Sequence, residues 1–218
     1  MKTGILFDLD GTLLDSLGDL HRCTNHVLRQ YGCPERSVEE IRRFVGNGAR
    51  RLMEQALPGL DTDPSPDQLL ADYMVYYQEN CKDTTRPYPG ITEALTQLGE
   101  DYPMAVVSNK PHEAVVELCR MFFPGVYGLG TLPDCPRKPA PDMLQKAMGQ
   151  IGVERCIYVG DSEVDVLTAK NAGVPCLSVL WGFRDRDELE RAGAEHFCRD
   201  TAQLPEAVRA LLTRLESM

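Results

Sequence analysis

The chain has 218 residues, of which 43% are hydrophobic and 26% charged, with a mean hydropathy of −0.29. Such proportions belong to a folded globular protein, and the length accommodates one well-buried core with a smaller second unit. A formal net charge of −10 and a pI near 4.9 set the overall field against nucleic acid or an anionic membrane as the main partner. No apolar run reaches membrane-spanning length, and Met1-Lys2-Thr3-Gly4 leads into a strand-like run without a signal-peptide core, so a cytoplasmic protein is expected. Eight cysteines without a C-x-x-C pair and four scattered histidines predict reduced structural thiols and no zinc site.

In chain order, the first short apolar run, Gly4–Phe7, predicts a buried strand. From about Ser16 to Thr84 the pattern turns helical with almost no strand signal. Leu20, Val27 and Leu28 suggest one helix, and Ile41, Phe44 and Val45 a second. Leu52, Met53, Ala56 and Leu57 suggest a third, and Leu69, Leu70, Tyr73, Tyr76 and Tyr77 a fourth, after a loop over Asp61–Asp67. Arg86-Pro87-Tyr88-Pro89-Gly90 marks the return to the core. Strands are then expected at Met104–Val107, Cys156–Val159, Cys176–Leu180 and around His196–Phe197. They alternate with helical patterns at His112–Met121, Ala140–Ile151, Val164–Ala172 and Leu204–Leu215. This β-α-β rhythm predicts an α/β fold: a doubly wound parallel-sheet, Rossmann-like core from residues 1–15 and 85–218, with a small all-helical domain inserted over 16–84.

In such sheets ligands gather at the carboxyl ends of the strands, so the residues there carry the functional argument. The first strand ends in Asp8-Leu9-Asp10-Gly11-Thr12, two carboxylates that can divide the work of attacking phosphorus and moving a proton. Alone, the pair is equally a strand-end turn with a capping Asp. Val107-Ser108-Asn109-Lys110 offers a hydroxyl and turn amides for phosphate oxygens, or simply a helix start. Lys138, in Arg137-Lys138-Pro139, is a fixed ammonium or a solvated one. Gly160-Asp161-Ser162-Glu163-Val164-Asp165 adds two more carboxylates at another strand-to-helix turn. The ordered combination is specific where each part is not. Four carboxylates (Asp8, Asp10, Asp161, Asp165) against Lys138 leave a formal charge of about minus three, which repels a phosphate dianion unless a cation intervenes; oxygen-only ligands point to Mg²⁺.

With these motifs in order along nearly the whole chain, the sequence resembles the haloacid dehalogenase superfamily of phosphatases. The resemblance implies that Asp8 is nucleophile and metal ligand, and that Asp10 is general acid, then base, with its carbonyl on the metal. It implies that Thr12 fixes the motif turn at the phosphate site, Ser108 and Asn109 hold phosphoryl oxygens, and Lys138 balances charge. Asp161 would complete the metal site, Asp165 would support Lys138 or a metal-bound water, and the helical insertion would be a mobile cap. Within the family, Asp8–Ser16, Val45-Gly46-Asn47-Gly48-Ala49, Tyr88-Pro89-Gly90, Val107–Lys110 and Lys138-Pro139-Ala140-Pro141 are similar to phosphoglycolate phosphatases. Val126–Arg137 departs by lacking an acidic pair and by its shortness, which leaves the third strand and the rim of the site undefined.

Four other readings bear on function. A receiver-like phospho-binding module should not carry Asp10, a built-in base for the water that removes its phosphate. Dehalogenation needs neither the second Asp nor a metal, and phosphonate cleavage wants an imine-forming lysine where only Lys82 occurs, at the end of the insertion. A phosphosugar mutase would share Asp8 and Asp10 and stays open. Substrate choice is expected from Gly46–Arg51. Gly46 and Gly48 permit close approach, Asn47 or Gly48 opens a helix, and Arg50 and Arg51 would face the carboxylate of a small phosphorylated metabolite such as 2-phosphoglycolate.

Overall fold

The strand period of two sorts the central side chains onto two faces of a sheet. The structure, a computed structural model, describes residues 2–59 and 64–216. In β1 (Thr3–Phe7), Ile5 and Phe7 join one apolar cluster and Leu6 another. The same split runs through β4 (Met104–Pro111), with Val106 opposite Ala105 and Val107, and through β6 (Arg155–Gly160), with Ile157 and Val159 opposite Cys156 and Tyr158. One face is covered by α5 (Ile91–Gly99), α6 (His112–Phe122) and α10 (Leu204–Glu216), the other by α7 (Asp142–Ile151) and α8 (Glu163–Ala172). Strands buried on both faces read as near-continuous apolar runs, which is why they were legible.

With β5 (Tyr127–Thr131), β7 (Cys176–Val179) and β8 (His196–Cys198), the sheet is six-stranded, parallel and ordered β5-β4-β1-β6-β7-β8. The chain runs outward from β1 through β4 to β5 and then crosses back to β6. A crevice therefore opens where the carboxyl ends of β4, β1 and β6 meet, the place where open α/β sheets bind ligands. Three boundaries differ from the sequence reading. β4 runs on to Pro111, its register with β5 breaking between Val107 and Pro111, so Ser108, Asn109 and Lys110 sit on a strand end and not in a helix-start turn. The undefined stretch contains the edge strand β5, and α7 begins at Asp142 because Ala140 is still held in a turn onto the Arg137 carbonyl. The short helix α9 (Arg186–Ala192), with its Asp185–Glu188 capping box, and α5 lay outside that reading.

Between β2 (Leu14–Asp15) and β3 (Arg86–Pro87), an antiparallel pair, the chain forms α1 (Leu17–Gln30), α2 (Val38–Phe44), α3 (Gly48–Ala56) and α4 (Pro66–Asn80). Their apolar stripes meet in a separate cluster that includes Leu20, Val27, Leu28, Ile41, Leu52, Met53, Leu69, Tyr73 and Tyr77. Capping boxes start α2 (Ser37 with Glu40) and α4 (Ser65 with Gln68, Pro66 in the first turn). Of the loop expected over Asp61–Asp67, residues 61–63 lie outside the described residues, while Pro66 and Asp67 are already helical. No helix among the described residues is long and apolar enough to cross a membrane. All eight cysteines are free, and burial pushes the thiols of Cys23, Cys119 and Cys156 up to about 12, so they serve as small apolar groups.

The two crossings into the insertion are stapled by one carboxylate. Asp19 in the first turn of α1 is fully buried and accepts hydrogen bonds from the amides and hydroxyls of Thr84 and Thr85 at 2.8 to 3.1 Å, and from Arg22 at 2.9 Å. Burial alone would raise its pKa, but the bonds from Arg22, Thr84 and Thr85 hold it below the ordinary 3.8. Asp19→Ala strands those donors and is expected to cost about 2–4 kcal/mol of stability, read from urea unfolding at pH 7. Because the folded-state value is depressed, this stabilisation is complete above pH 3.8 and disappears as pH falls through the lower folded value. The stability gap between wild type and Asp19→Asn should therefore narrow in that acid range.

Candidate active site

Each strand bordering the crevice delivers polar groups at its carboxyl end. Asp8 follows β1 with its amide bonded to the Val159 carbonyl at 2.8 Å, and Asp10 lies two residues on. The turn that follows needs Gly11, whose φ is +84° and where an added Cβ would meet Asp161 Oδ2 at 2.3 Å. The end of β4 supplies Ser108, Asn109 and Lys110; the end of β6 supplies Asp161; α8 supplies Asp165 in its first turn. Lys138 comes from the loop before α7, after which the Lys138–Pro139 peptide is cis. Together with Leu20, Val45, Leu52, Tyr73 and Tyr77 of the insertion, most of these residues line one cavity of about 50 Å³.

Its floor is a buried charge cluster. The Lys138 ammonium, 2% exposed, donates to Asp8 Oδ1, Asp165 Oδ1 and the Tyr158 hydroxyl, each at 2.8 Å, which uses all three of its hydrogens. Burial alone would lower its pKa, but the charges of Asp165 and Asp8 raise it above the ordinary lysine value, so it stays an ammonium. Burial, then the Asp165 charge, pushes Asp8 well above the ordinary carboxylate range against the pull of Lys138. Burial and Asp165 likewise push Asp161 up to about 7, although the Phe183 amide at 2.7 Å and the Thr12 hydroxyl at 2.9 Å favour its anion. The cluster holds more negative charge than its cation balances.

Asp10 sits apart from that cluster. Its Oδ1 accepts from Lys110 Nζ at 2.6 Å and from the Ser16 hydroxyl. Lys110 is itself 2% exposed and lies 4.9 Å from the centre of the Tyr77 ring. The sequence count left this second buried ammonium out, so the formal charge of the site is about minus two and not minus three.

The structure brings Asp8, Asp10, Ser108, Asn109, Lys138 and Asp161 to the cavity wall. Thr12 is not on it; its hydroxyl is committed to Asp161. The Asn109 carboxamide donates to the Gly46 carbonyl at 3.0 Å and the Lys138 carbonyl at 2.9 Å, joining insertion to lysine loop, while its Oδ1 is buried without a partner. Asp165 is spent on Lys138, Tyr158 and the Ser162 amide and hydroxyl. Of the segment Gly46–Arg51, Gly46, Gly48 and Ala49 line the cavity, but Asn47 does not. Arg50 and Arg51 point away from it: Arg50 pairs with Asp67 at 2.6 Å and Arg51 with Glu54 at 3.1 Å, both half exposed.

Residues that sequence reasoning missed include Tyr158 and a pair of arginines spanning insertion and core. Arg42 of α2 donates to the carbonyls of Gly182 and Phe183 at 2.9 and 2.8 Å. Arg184 returns bonds to the carbonyls of Arg42 and Val45 at 2.9 and 2.8 Å while its Nε holds Glu163. No spacing rule marks such long-range pairs. Lys110 did carry a signal, a lysine directly ahead of Pro111 and close behind the apolar run Met104–Val107.

Carboxylate oxygens of Asp8, Asp161 and Asp165 lie within 4.8 Å of one another. The donors are oxygen only, buried and under-neutralised, which fits a small hard cation such as Mg²⁺; with Asp165 spent, Asp8 and Asp161 are the ones with lone pairs to offer. Residues 5–179 match the family model of the haloacid dehalogenase-like hydrolases. A phosphoglycolate phosphatase of Rhodobacter capsulatus is 36% identical over 216 residues, 94% of this chain and 96% of that protein. One of Pseudomonas putida is 38% identical over 192 residues, 82% of this chain and 70% of that protein. A crystal structure from Lactobacillus delbrueckii subsp. bulgaricus, provisionally assigned as a phosphoglycolate phosphatase, superposes with a TM-score of 0.88 at 34% identity, covering 95% of this chain and 99% of that one. Matched by the family model over most of its length and by such relatives nearly end to end, the chain belongs to the haloacid dehalogenase-like hydrolases and stands among their phosphatases.

Proposed function

We propose that the protein is a Mg²⁺-dependent phosphomonoester hydrolase that carries the phosphoryl group on Asp8 and acts on a small phosphorylated acid, 2-phosphoglycolate first. The observation that carries the reading is the Asp8 carboxylate at the cavity wall, 2.8 Å from the buried Lys138 ammonium. An Asp8 oxygen attacks phosphorus, forming an aspartyl phosphate as the bond to the leaving oxygen breaks. Asp10 gives that oxygen its proton, and then takes one from the water that splits the aspartyl phosphate, which returns Asp8 and releases phosphate. Ser108 and the backbone around Asn109 hold phosphoryl oxygens, and Lys138, oriented by Asp165 and Tyr158, offsets their charge. Mg²⁺, held by Asp8 and Asp161 with the Asp10 carbonyl, would supply the remaining positive charge.

In this reading residues 16–84 are a cap domain closing over a core of 1–15 and 85–218, in a cytoplasmic enzyme. Lys82 is paired with Glu117 and does not line the cavity, which leaves phosphonate cleavage without its imine-forming lysine. The assignment to 2-phosphoglycolate is also supported by the names of the Rhodobacter and Pseudomonas relatives.

Phosphate release from a panel of phosphorylated metabolites tests the reading, with 2-phosphoglycolate expected to give the highest kcat/KM; turnover of none of them would overturn it. Asp8→Asn should fold normally and lose turnover, and Asp10→Asn should be slowed by roughly 10²–10⁴-fold, most with poor leaving groups. Wild-type rates with either would refute the role given to that residue. Chelation should abolish activity and Mg²⁺ restore it, while Ca²⁺, larger and looser in its coordination, should inhibit. Undiminished turnover in excess chelator would contradict the metal requirement.

A further inference from the structure

Buried donors without acceptors need an explanation, and two residues that line this cavity carry them. Lys138 has no hydrogen left to give. Arg184 spends its guanidinium on Glu163 and three carbonyls of the insertion. Lys110 is different. Its side chain is 2% exposed, yet among the described residues its ammonium meets one oxygen, Asp10 Oδ1, and otherwise the face of Tyr77. Two of its three N–H groups are therefore unfilled. The Tyr77 ring under that ammonium carries a hydroxyl that is buried, with the residue 1% exposed, and has no partner. Burial and the neighbouring Tyr73 and Asp10 keep that phenol protonated, so it is a donor as well. Both side chains line the cavity.

A buried ammonium with spare hydrogens, set over a ring whose hydroxyl is an orphan, is the complement of an anion. It is not the phosphoryl site, which lies with Asp8 and Lys138. It adjoins Asp10, the group assigned to the leaving oxygen. We infer that Lys110 and Tyr77 receive the carboxylate of the leaving group and make the enzyme selective for phosphate esters of small hydroxy acids. This rests on the phosphatase reading above and takes over the role expected of Arg50 and Arg51. Geometry supports it: in an ester of an α-hydroxy acid the carboxylate is attached to the carbon bearing the leaving oxygen. A cation one hydrogen bond from Asp10 is thus within reach of the carboxylate while Asp10 serves that oxygen. Because Tyr77 belongs to α4 of the insertion and Lys110 to β4 of the core, the receptor is complete only with the insertion seated over the sheet.

The test compares 2-phosphoglycolate with ethyl phosphate, which has the same two-carbon skeleton without the carboxylate. Lys110→Met should lower kcat/KM for 2-phosphoglycolate roughly 10- to 100-fold more than for ethyl phosphate, the range of a charged hydrogen bond. Tyr77→Phe, which keeps the ring and the Lys110–Asp10 pair, should raise KM for 2-phosphoglycolate several-fold more than KM for ethyl phosphate. Lys110→Arg should recover part of the discrimination, and glycolate should inhibit wild type more strongly than Lys110→Met. Thermal unfolding of each variant separates a folding defect from a binding one, and Tyr77→Phe carries the test if Lys110→Met does not fold. Equal losses on both esters would mean that Lys110 only orients Asp10 and would overturn the assignment while leaving the phosphatase intact. Wild-type turnover of ethyl phosphate with none of 2-phosphoglycolate would remove both the carboxylate receptor and the substrate choice.

Discussion

Lys138 is the residue around which the three strand ends are organised. Its ammonium draws together Asp8 from the end of β1, Asp165 from α8 and Tyr158 from the middle of β6, and each side chain is almost fully out of water. Ions moved from water into such a place lose several kcal/mol of hydration, and removing one partner of a buried pair typically costs about 3–5 kcal/mol because the other is left unpaired. The arrangement persists because every bond is at 2.8 Å and Tyr158 also reaches the Val107 carbonyl, fixing the lysine against the neighbouring strand. One ammonium still cannot balance Asp8, Asp161 and Asp165. That residual charge is an electrostatic cost built into the fold at its functional end, the kind of local conflict that proteins keep where chemistry requires it.

Among the contacts that hold the helical insertion to the sheet, two are unlike in kind. At its base, Asp19 fixes the outgoing and returning chains through Thr84 and Thr85, next to the β2–β3 pair. All of those bonds lie within one crossing, so motion of the helices above it need not break them. At the far side, Arg42 and Arg184 each bind carbonyls of the opposite unit, and those bonds must break if the insertion lifts. Carbonyl oxygens are neutral acceptors that water can replace at little net cost, since an intramolecular hydrogen bond is worth only about 0.5–1.5 kcal/mol. Base and rim thus differ in kind: one ties the two crossings to each other, the other ties the helices to the sheet.

Much of this was legible in the sequence because it is local. Strands buried on both faces gave continuous apolar runs at Gly4–Phe7 and Cys156–Val159, and Asp8, Asp10, Lys138 and Asp161 stand at or near strand ends where the fold class puts ligands. The helices of the insertion showed through their apolar spacing, as with Leu69, Tyr73 and Tyr77. What did not show in the sequence was long-range or directional. The edge strand Tyr127–Thr131 has two glycines in five residues and little apolar signal. A basic residue at a helix start can turn either inward or to a nearby acid, and Arg50 and Arg51 found Asp67 and Glu54 at the surface. Conversely, the sequence shows Lys110 beside Asn109 but not that the strand continues through it, and only that continuation turns its side chain into the cavity.

The Arg42 contact and the charged floor meet in one loop. Arg42 grips the carbonyls of Gly182 and Phe183, while the Phe183 amide donates to Asp161 Oδ2 at 2.7 Å. Gly182 touches the same residue from behind: an added Cβ there would lie 2.3 Å from Asp161 Cβ and 2.5 Å from the Gly11 carbonyl. Asp161 is therefore wedged between the first-strand turn and a loop whose other side is held by the insertion. There is no room here for even a methyl group, so any side chain at position 182 would displace Asp161 or the Gly11 turn. The insertion and the Asp161 carboxylate are therefore joined through Gly182 and Phe183, whose carbonyls are held by Arg42 and whose other side packs on and hydrogen-bonds to Asp161.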